Sequence, residues 1–330
     1  MMVVTNNLKL LFRMTVVALA AGFSGAPALA QEAPLPKLIK LIVPFSPGAS
    51  NDLFGRALAQ RMSARLGTTV IVENRPGAGG AIGADAVARG EPDGSILLFS
   101  SNSFTTNAAI TSKLPYDMNK SFVPVAMIAR TSMIVVVNAN SPYKTLPQAI
   151  EAMRDPKLKL NYGSAGVGSL AHIATELFHS LAGTTALHVP YKGVTNAITD
   201  MMGDNIQIMI STVASVGEQI KAGKLRALAV TSLDRSKTMP EIPTVAEYIP
   251  GYTAEAWWGV FVPSGTPKPI VDRLNSVIRT ITEQPDMRKL FAQESAESVP
   301  MTSAEFNAYY TDEISKWKKV ARERNLSSTN

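Results

Sequence analysis

Residues 38–66 read LIKLIVPFSPGASNDLFGRALAQRMSARL, and this stretch decides the fold class. Leu38–Val43 is an apolar run that predicts a buried strand, ended by Pro44, which has no N–H to give to a strand ladder. From Asp52 to Leu66 the residues Leu53, Ala57, Leu58 and Met62 recur at helical spacing. A strand, a loop containing Gly48 and a helix open a parallel α/β unit. The same pattern repeats at once. Val70–Val72 predicts a second strand, Asn74–Gly80 a loop, Ala81 to about Arg89 a helix, and Ile96–Phe99 a third strand. The order is βαβαβ, the start of a doubly wound domain.

Downstream, Val123–Ile128 and Ile134–Val137 form a nearly continuous β-prone stretch with a polar break at Arg130-Thr131-Ser132. A second α/β series follows. Its helices are expected over Leu146–Arg154, Ser169–Leu181, Asn196–Met202 and Ser215–Ala222, and its strands over Leu158–Tyr162, Leu187–Val189, Ile206–Ile210 and Leu225–Val230. After a proline-rich loop (Pro240, Pro243, Pro250) come a strand at Trp257–Val262 and helices near Ile270–Thr282, Asp286–Gln293 and Ser303–Arg324. No internal repeat stands out by residue identity, but two α/β series in tandem suggest two similarly built lobes.

With 330 residues, 46% hydrophobic and 18% charged, the chain is neither disordered nor a coiled coil. It has no cysteine, which excludes a disulfide scaffold, a thiolate metal site, a catalytic thiol and lipid attachment at an N-terminal Cys. The first thirty residues read as a secretory leader. Lys9 and Arg13 precede the apolar run Met14–Phe23, and Ala28-Leu29-Ala30 offers small-x-small cleavage, so the mature chain starts near Gln31. The apolar run falls short of the ~20 residues that span a bilayer. Losing Lys9 and Arg13 lowers the net charge from +6 to +4. That excess is scattered and forms no basic tract, which argues against nucleic-acid binding, while a mild positive field suits an anionic small molecule.

Two strand-to-helix loops carry the candidate chemistry. In Pro44–Asp52, Gly48 allows close backbone approach and Ser50 or Asn51 can cap the helix, so free N–H groups backed by a helix dipole could hold an anion. An ordinary capped βα loop has the same composition. In Tyr162–Ser169, three glycines (Gly163, Gly166, Gly168) alternate with Ser164, Ala165 and Ser169. It has the length of a phosphate loop but lacks the lysine, and it runs G-x-x-G-x-G, which is wrong for a dinucleotide fingerprint. A flexible turn is the alternative, weakened by there being one such loop in each α/β series. A third loop, Asn74–Gly83, nearly matches a dinucleotide motif but reads better as a cleft-lining loop or a helix-packing turn.

His172, Glu176 and His179 fall on one face of the helix near Ser169–Leu181, opposite Leu170, Ile173, Ala174, Leu177 and Leu181. Three ligands crowded on one helix rarely converge on one ion, so the expectation is a solvated polar face, with His172 near the ligand and no metal. Neither a G-x-S-x-G elbow nor H-E-x-x-H occurs. An Asp52/Glu176 acid–base pair is conceivable, but both sit where a helix-dipole partner or a surface charge is the default. Of Trp257 and Trp258, one is expected in the core, and the other could line a cleft.

Several blocks resemble the Bug-type extracytoplasmic solute receptors, the periplasmic binding subunits of tripartite tricarboxylate transporters. They are Val43-Pro44-Phe45-Ser46-Pro47-Gly48 with Asn51-Asp52, Val72-Glu73-Asn74-Arg75-Pro76-Gly77-Ala78-Gly79-Gly80, and Glu91-Pro92-Asp93-Gly94. Tyr162–Gly166 with Gly168-Ser169 and His172, Pro190-Tyr191-Lys192-Gly193, Ala222–Val230, Trp258-Gly259 and Val262-Pro263 follow in the same order across the mature chain.

The resemblance implies an α/β, two-lobed, Venus-flytrap fold of type II kind, each lobe a doubly wound sheet with flanking helices. On this reading residues 31–130 and 255–330 form lobe I and 131–254 lobe II. A ligand carboxylate would be held by backbone N–H groups and ordered water at Phe45, Gly48, Ala49, Ser50, Asn51 and Asp52 and at Gly163, Ser164, Ala165, Gly166, Gly168 and Ser169. The stretch Ser100–Ser103, with Ser100 and Ser103 at its ends, would contribute as well, as would Thr131, His172 and Ser211. Two departures stand out. Pro47-Gly48-Ala49 replaces the common Pro-Gly-Gly, and Ser211 follows Met209-Ile210 where many members carry Asp after Met-Phe, which argues against an amino-acid ligand. The expectation is a monomeric periplasmic receptor without cofactor, metal or catalysis, capturing a small di-, tri- or aromatic carboxylate for membrane transporter components. The alternatives are a secreted hydrolase or lyase acting on a carboxylate, and a sensor presenting ligand to a signalling partner. Glycines and small hydroxyls at the loops favour binding over catalysis.

Overall fold

Strand order in this molecule follows from one long strand that serves two sheets. The computed structural model describes residues 33–48 and 50–327. The expected leader with its cleavage near Ala30, and the candidate residue Ala49, lie outside the described residues. The first half contains β1 (Leu38–Val43), α1 (Ser50–Leu66), β2 (Thr69–Asn74), α2 (Ala81–Ala88), β3 (Ile96–Ser101), α3 (Ser103–Ile110) and β4 (Phe122–Asn138). Then come α4 (Leu146–Arg154), β5 (Asn161–Ser164), α5 (Leu170–Ala182), β6 (Leu187–Pro190), α6 (Val194–Met202), β7 (Ile208–Thr212), α7 (Val213–Lys221) and β8 (Leu225–Val230). The chain closes with β9 (Glu255–Pro263), α8 (Lys268–Thr282), α9 (Pro285–Gln293), β10 (Glu297–Ser298) and α10 (Ser303–Glu323).

The first sheet runs β2-β1-β3-β9-β4, with β1 parallel to β2 and β3, and β9 antiparallel to both β3 and β4. From Met133 onward β4 leaves β9 and pairs antiparallel with β7 and β8, and parallel β5 and β6 extend the second sheet beyond β7. In this segment the two-residue period of a strand decides which core each side chain enters. Met133, Val135 and Val137 join the cluster of Tyr162, Ile173 and Phe178. Ile134 and Val136 join that of Ile198, Met209 and Val230 on the other face. A strand covered by helices on both faces needs apolar residues at every position, which is why Met133–Val137 reads as a continuous run.

Three expectations are corrected. The polar triplet Arg130-Thr131-Ser132 does not interrupt the strand: it pairs with Trp257, Ala256 and Glu255 of β9. Ladder bonds need only backbone, and the side chains find partners. Arg130 lies 3.5 Å from both Glu255 and Glu297, Thr131 Oγ1 donates to Ser295 O (2.6 Å), and Ser132 Oγ accepts from the N–H groups of Thr231 and Ser232. Second, α3 was not anticipated between β3 and β4. Third, Trp257 and Trp258 are both buried: Trp257 Nε1 donates to Glu313 of α10 and Trp258 packs edge-on against Phe54 of α1.

Candidate functional site

All parallel strands of each sheet end at the edge where the following helix begins, so the carboxyl ends of β3, β5 and β7 deliver the first turns of α3, α5 and α7. In open α/β sheets such ends are where ligands collect. Here a cavity of about 250 Å³ lies among them. Its wall comprises Asn102 and Ser103 at the start of α3, Met133 of β4, Ala165, Ser169, Leu170 and Ala171 at the start of α5, and Val194 of α6. Ser211, Thr212 and Ser215 around the start of α7, and Ala256 of β9, complete it. The first N–H groups of a helix have no intrahelical acceptor and carry the positive end of its dipole. A cavity touching four such starts therefore favours an anion.

Ser169 caps α5. Its hydroxyl accepts from His172 N (3.3 Å) and donates to Gly166 O (2.7 Å), drawing the preceding loop tight. Gly166 and Gly168 adopt φ of +119° and +79°, conformations that favour glycine. A Cβ at Gly168 would sit 2.5 Å from Ile110 Cδ1 of α3, so this loop lies directly on a helix of the first sheet. Of the expected residues, Ser103, Ala165, Ser169 and Ser211 line the cavity, while Gly163, Ser164, Gly166, Gly168 and His172 form the loop and helix start behind it. Asn102, inside the Ser100–Ser103 stretch expected to contribute, lines it too, while Met133, Leu170, Ala171, Val194, Thr212, Ser215 and Ala256 complete the wall and were not singled out as site residues from sequence.

The first loop stands outside this wall. Asp52 is buried and engaged, accepting from Gly48 N (3.1 Å), Arg56 Nε (2.9 Å) and Asn74 Nδ2 (2.9 Å). Burial pushes its carboxyl pKa up, but the hydrogen bonds from Arg56, Asn74 and Gly48 outweigh that and hold it below the usual range. Asp52 thus ties Pro44–Gly48 to α1 and β2. Phe45 O accepts from Asn74 Nδ2 (3.1 Å), and Ser50 Oγ donates to Glu294 (2.9 Å). Asn51 Oδ1, Ser100 Oγ and Trp258 Nε1 are buried with no hydrogen-bond partner among the described residues. Thr131 is occupied by Ser295. The third loop is a packing turn: Arg75 N donates to Val43 O (2.9 Å), and Asn107 Nδ2 of α3 donates to Gly79 O (3.0 Å).

The His172/Glu176/His179 face is not solvated. All three are buried, at 4%, 7% and 1% exposure, whereas Leu181, expected inside, is exposed. The reason is non-local. Tyr162 OH donates to Glu176 (2.5 Å), Arg324 Nε lies 2.6 Å from its other oxygen, and His179 Nδ1 is 2.8 Å from Thr184 Oγ1. His172 stacks on His188 at 4.1 Å, and His188 on Tyr162 at 4.8 Å. His172 Nδ1 accepts from Gly168 N (3.2 Å), and His188 Nε2 lies 2.7 Å from Ser164 Oγ, so the ring stack buttresses the glycine loop. Burial is the largest influence on each imidazole: it lowers His172, and it lowers His179 and His188 to about 4. Among the described residues no group of three or more His, Cys, Asp or Glu is arranged to hold a metal ion, and no helix is long and apolar enough to cross a membrane.

The tripartite tricarboxylate transporter family receptor profile matches residues 54–326. The chain belongs to this receptor family. BugT of Bordetella pertussis is 35% identical to it over 321 residues, covering 96% of this chain and 98% of BugT. A Rhodopseudomonas palustris protein solved with adipate superposes with a TM-score of 0.73 at 29% identity, covering 88% of this chain and 98% of that one. MatC of the same organism, solved with bound malate, gives 0.69 at 27% identity, covering 86% and 98%. The receptor therefore has the two-lobed periplasmic-binding-protein fold, the two sheets joined through β4. The family is one of substrate receptors and not an enzyme class.

Proposed function

We propose that this receptor works in the periplasm, captures a small organic carboxylate between its lobes and delivers it to the membrane components of a tripartite transporter. The observation that carries this reading is the cavity bounded by the starts of α3, α5, α6 and α7, an arrangement of N–H donors suited to an anion. The adipate and malate held by two relatives of the same fold are small carboxylates. The lobes in this proposal are residues 31–130 with 255–330, and 131–254, acting as a monomer. Donors come from both, α3 from the first and α5, α6 and α7 from the second. The loop Gly163–Ser169 and the loop Phe45–Asp52, whose Asn51 Oδ1 lies buried without a partner, both face the ligand region in this reading.

A thermal-shift screen with adipate, malate and benzoate tests it. A ligand present at 100 times its dissociation constant stabilises the folded state by about 2.7 kcal/mol. A clear rise in melting temperature with at least one carboxylate is expected. No rise with any of them, at millimolar concentration and neutral pH, overturns the carboxylate reading.

A further inference from the structure

A cavity for an anion can recruit arginine or lysine, and one for a zwitterion can add a carboxylate for the ammonium. This cavity has neither: none of its twelve lining side chains is ionisable. Met133, Ala165, Leu170, Ala171, Val194 and Ala256 form an apolar half. Most of the polar half is already committed within the protein. Ser103 Oγ lies 2.7 Å from Ser101 Oγ, Ser169 is the α5 cap, and Thr212 Oγ1 lies 2.8 Å from Ser215 Oγ. Two wall residues differ. Asn102 and Ser211 are only 4% and 3% exposed, they face the cavity, and among the described residues their side chains make no hydrogen bond. Polar side chains that open on a cavity and have no protein partner are left to hydrogen-bond a water or a ligand group placed there.

We infer that the cavity selects a carboxylate with an uncharged, apolar body and rejects ligands bearing an ammonium, with Asn102 and Ser211 supplying the side-chain hydrogen bonds to the oxygens. This rests on the carboxylate reading above. An α-ammonium brought here would lose its water, meet no carboxylate, and face the positive ends of four helices. A hydrocarbon body would instead find Met133, Leu170 and Val194. The space of about 250 Å³ suits a small acid.

Matched pairs that differ only by the ammonium separate this inference from the receptor reading: glutarate against glutamate, and adipate against 2-aminoadipate, titrated calorimetrically at pH 7.5. The diacid of at least one pair is expected to bind ten-fold or more tightly than its amino counterpart. Amino counterparts that bind as well or better overturn the inference while leaving a carboxylate receptor in place. Binding of no member overturns the inference, and the receptor reading falls with it only where malate and benzoate also fail to bind. Asn102→Asp, close in shape, places a carboxylate in the wall and should weaken the diacid and narrow or reverse the ratio. Ser211→Asp on the opposite lobe should do the same, and an unchanged ratio in folded forms of both variants also overturns the inference.

Discussion

At the scale of single residues, the glycine loop and the rings behind it act as one device. Gly166 holds φ of +119° beside Ala165, which lines the cavity, and its carbonyl accepts from the Ser169 cap. Gly166→Val forces a branched side chain into that conformation, at a cost of about 1–3 kcal/mol of strain if the loop holds its path. The expected outcome is a protein with native circular dichroism and a lowered melting temperature that no longer binds a carboxylate. Retained wild-type affinity would show that the loop does not serve the ligand. The buried histidines make a separate prediction. Burial holds His179 and His188 neutral to about pH 4, against about 6.5 for a free imidazole. Between those limits the unfolded chain binds protons that the folded chain does not, so stability is complete above pH 6.5 and falls as pH drops toward 4. Urea midpoints should therefore be lower at pH 5 than at pH 7, and His188→Gln should reduce the difference. Equal midpoints at the two pH values would show that burial does not hold these imidazoles neutral.

Among the elements, those legible in the sequence carry their own punctuation. β1 and β8 begin and end where the apolar runs Leu38–Val43 and Leu225–Val230 predict, because Pro44 bounds the first and Gly223 precedes the second. α3 was illegible because Ser103–Ile110 has no apolar stripe: Thr105 and Thr106 are buried beside Phe104 and Ala108. The hydroxyls of both threonines are satisfied by the carbonyls of Asn102 and Ser103, a local solution invisible to periodicity. The site divides the same way. Ser103, Ala165, Ser169 and Ser211 sit in or beside loops that reading along the chain can flag, whereas Met133, Val194 and Ala256 reach the cavity only through the crossing of β4 and β9 and the docking of α6. The polar face of α5 was misread for the same reason. Its partner, Arg324, comes from beyond α10, and the ion pair is 2.6 Å long with side-chain exposures of 28% and 9%. Arg324→Leu leaves Glu176 buried with Tyr162 as its remaining donor. Removing one member of a buried pair costs 3–5 kcal/mol, and the retained Tyr162 bond places this case near the lower end, about 3 kcal/mol, in urea unfolding. A change below 1 kcal/mol would mean that the pair is solvated in solution. Glu176→Ala, harmless on a solvated face, is likewise expected to destabilise.

For the whole molecule, the connections between the lobes decide how it can move. β4 and β9 cross side by side, and their pairing runs without a gap from Ala129/Trp258 to Ser132/Glu255. α10 packs into the cores of both sheets. Phe306 and Tyr310 join Phe104, Phe122 and Phe261 in the core of the first sheet, while Trp317, Val320 and Ala321 join the cluster of Tyr162, Ile173 and Phe178. Two paired strands resist sliding but bend readily about their ladder. A helix held at both ends limits that bend to a rotation that keeps Glu313 beneath Trp257 and Trp317. The expected motion is thus a rigid-body closure hinged at Arg130–Ser132, small at the crossing and larger at the loops facing each other across the cavity. A ligand can drive it only by binding the closed form more tightly, and the geometry supplies that difference. In the proposed division Asn102 and Ser103 fall in one lobe and Ser169, Val194, Ser211 and Thr212 in the other, so only a closed form presents both sets of donors. Saturating adipate should reduce the radius of gyration in small-angle scattering and alter the emission of Trp257 and Trp258, which lie in the β9 crossing. Adipate bound calorimetrically with neither signal changed would place the free receptor already in the closed form.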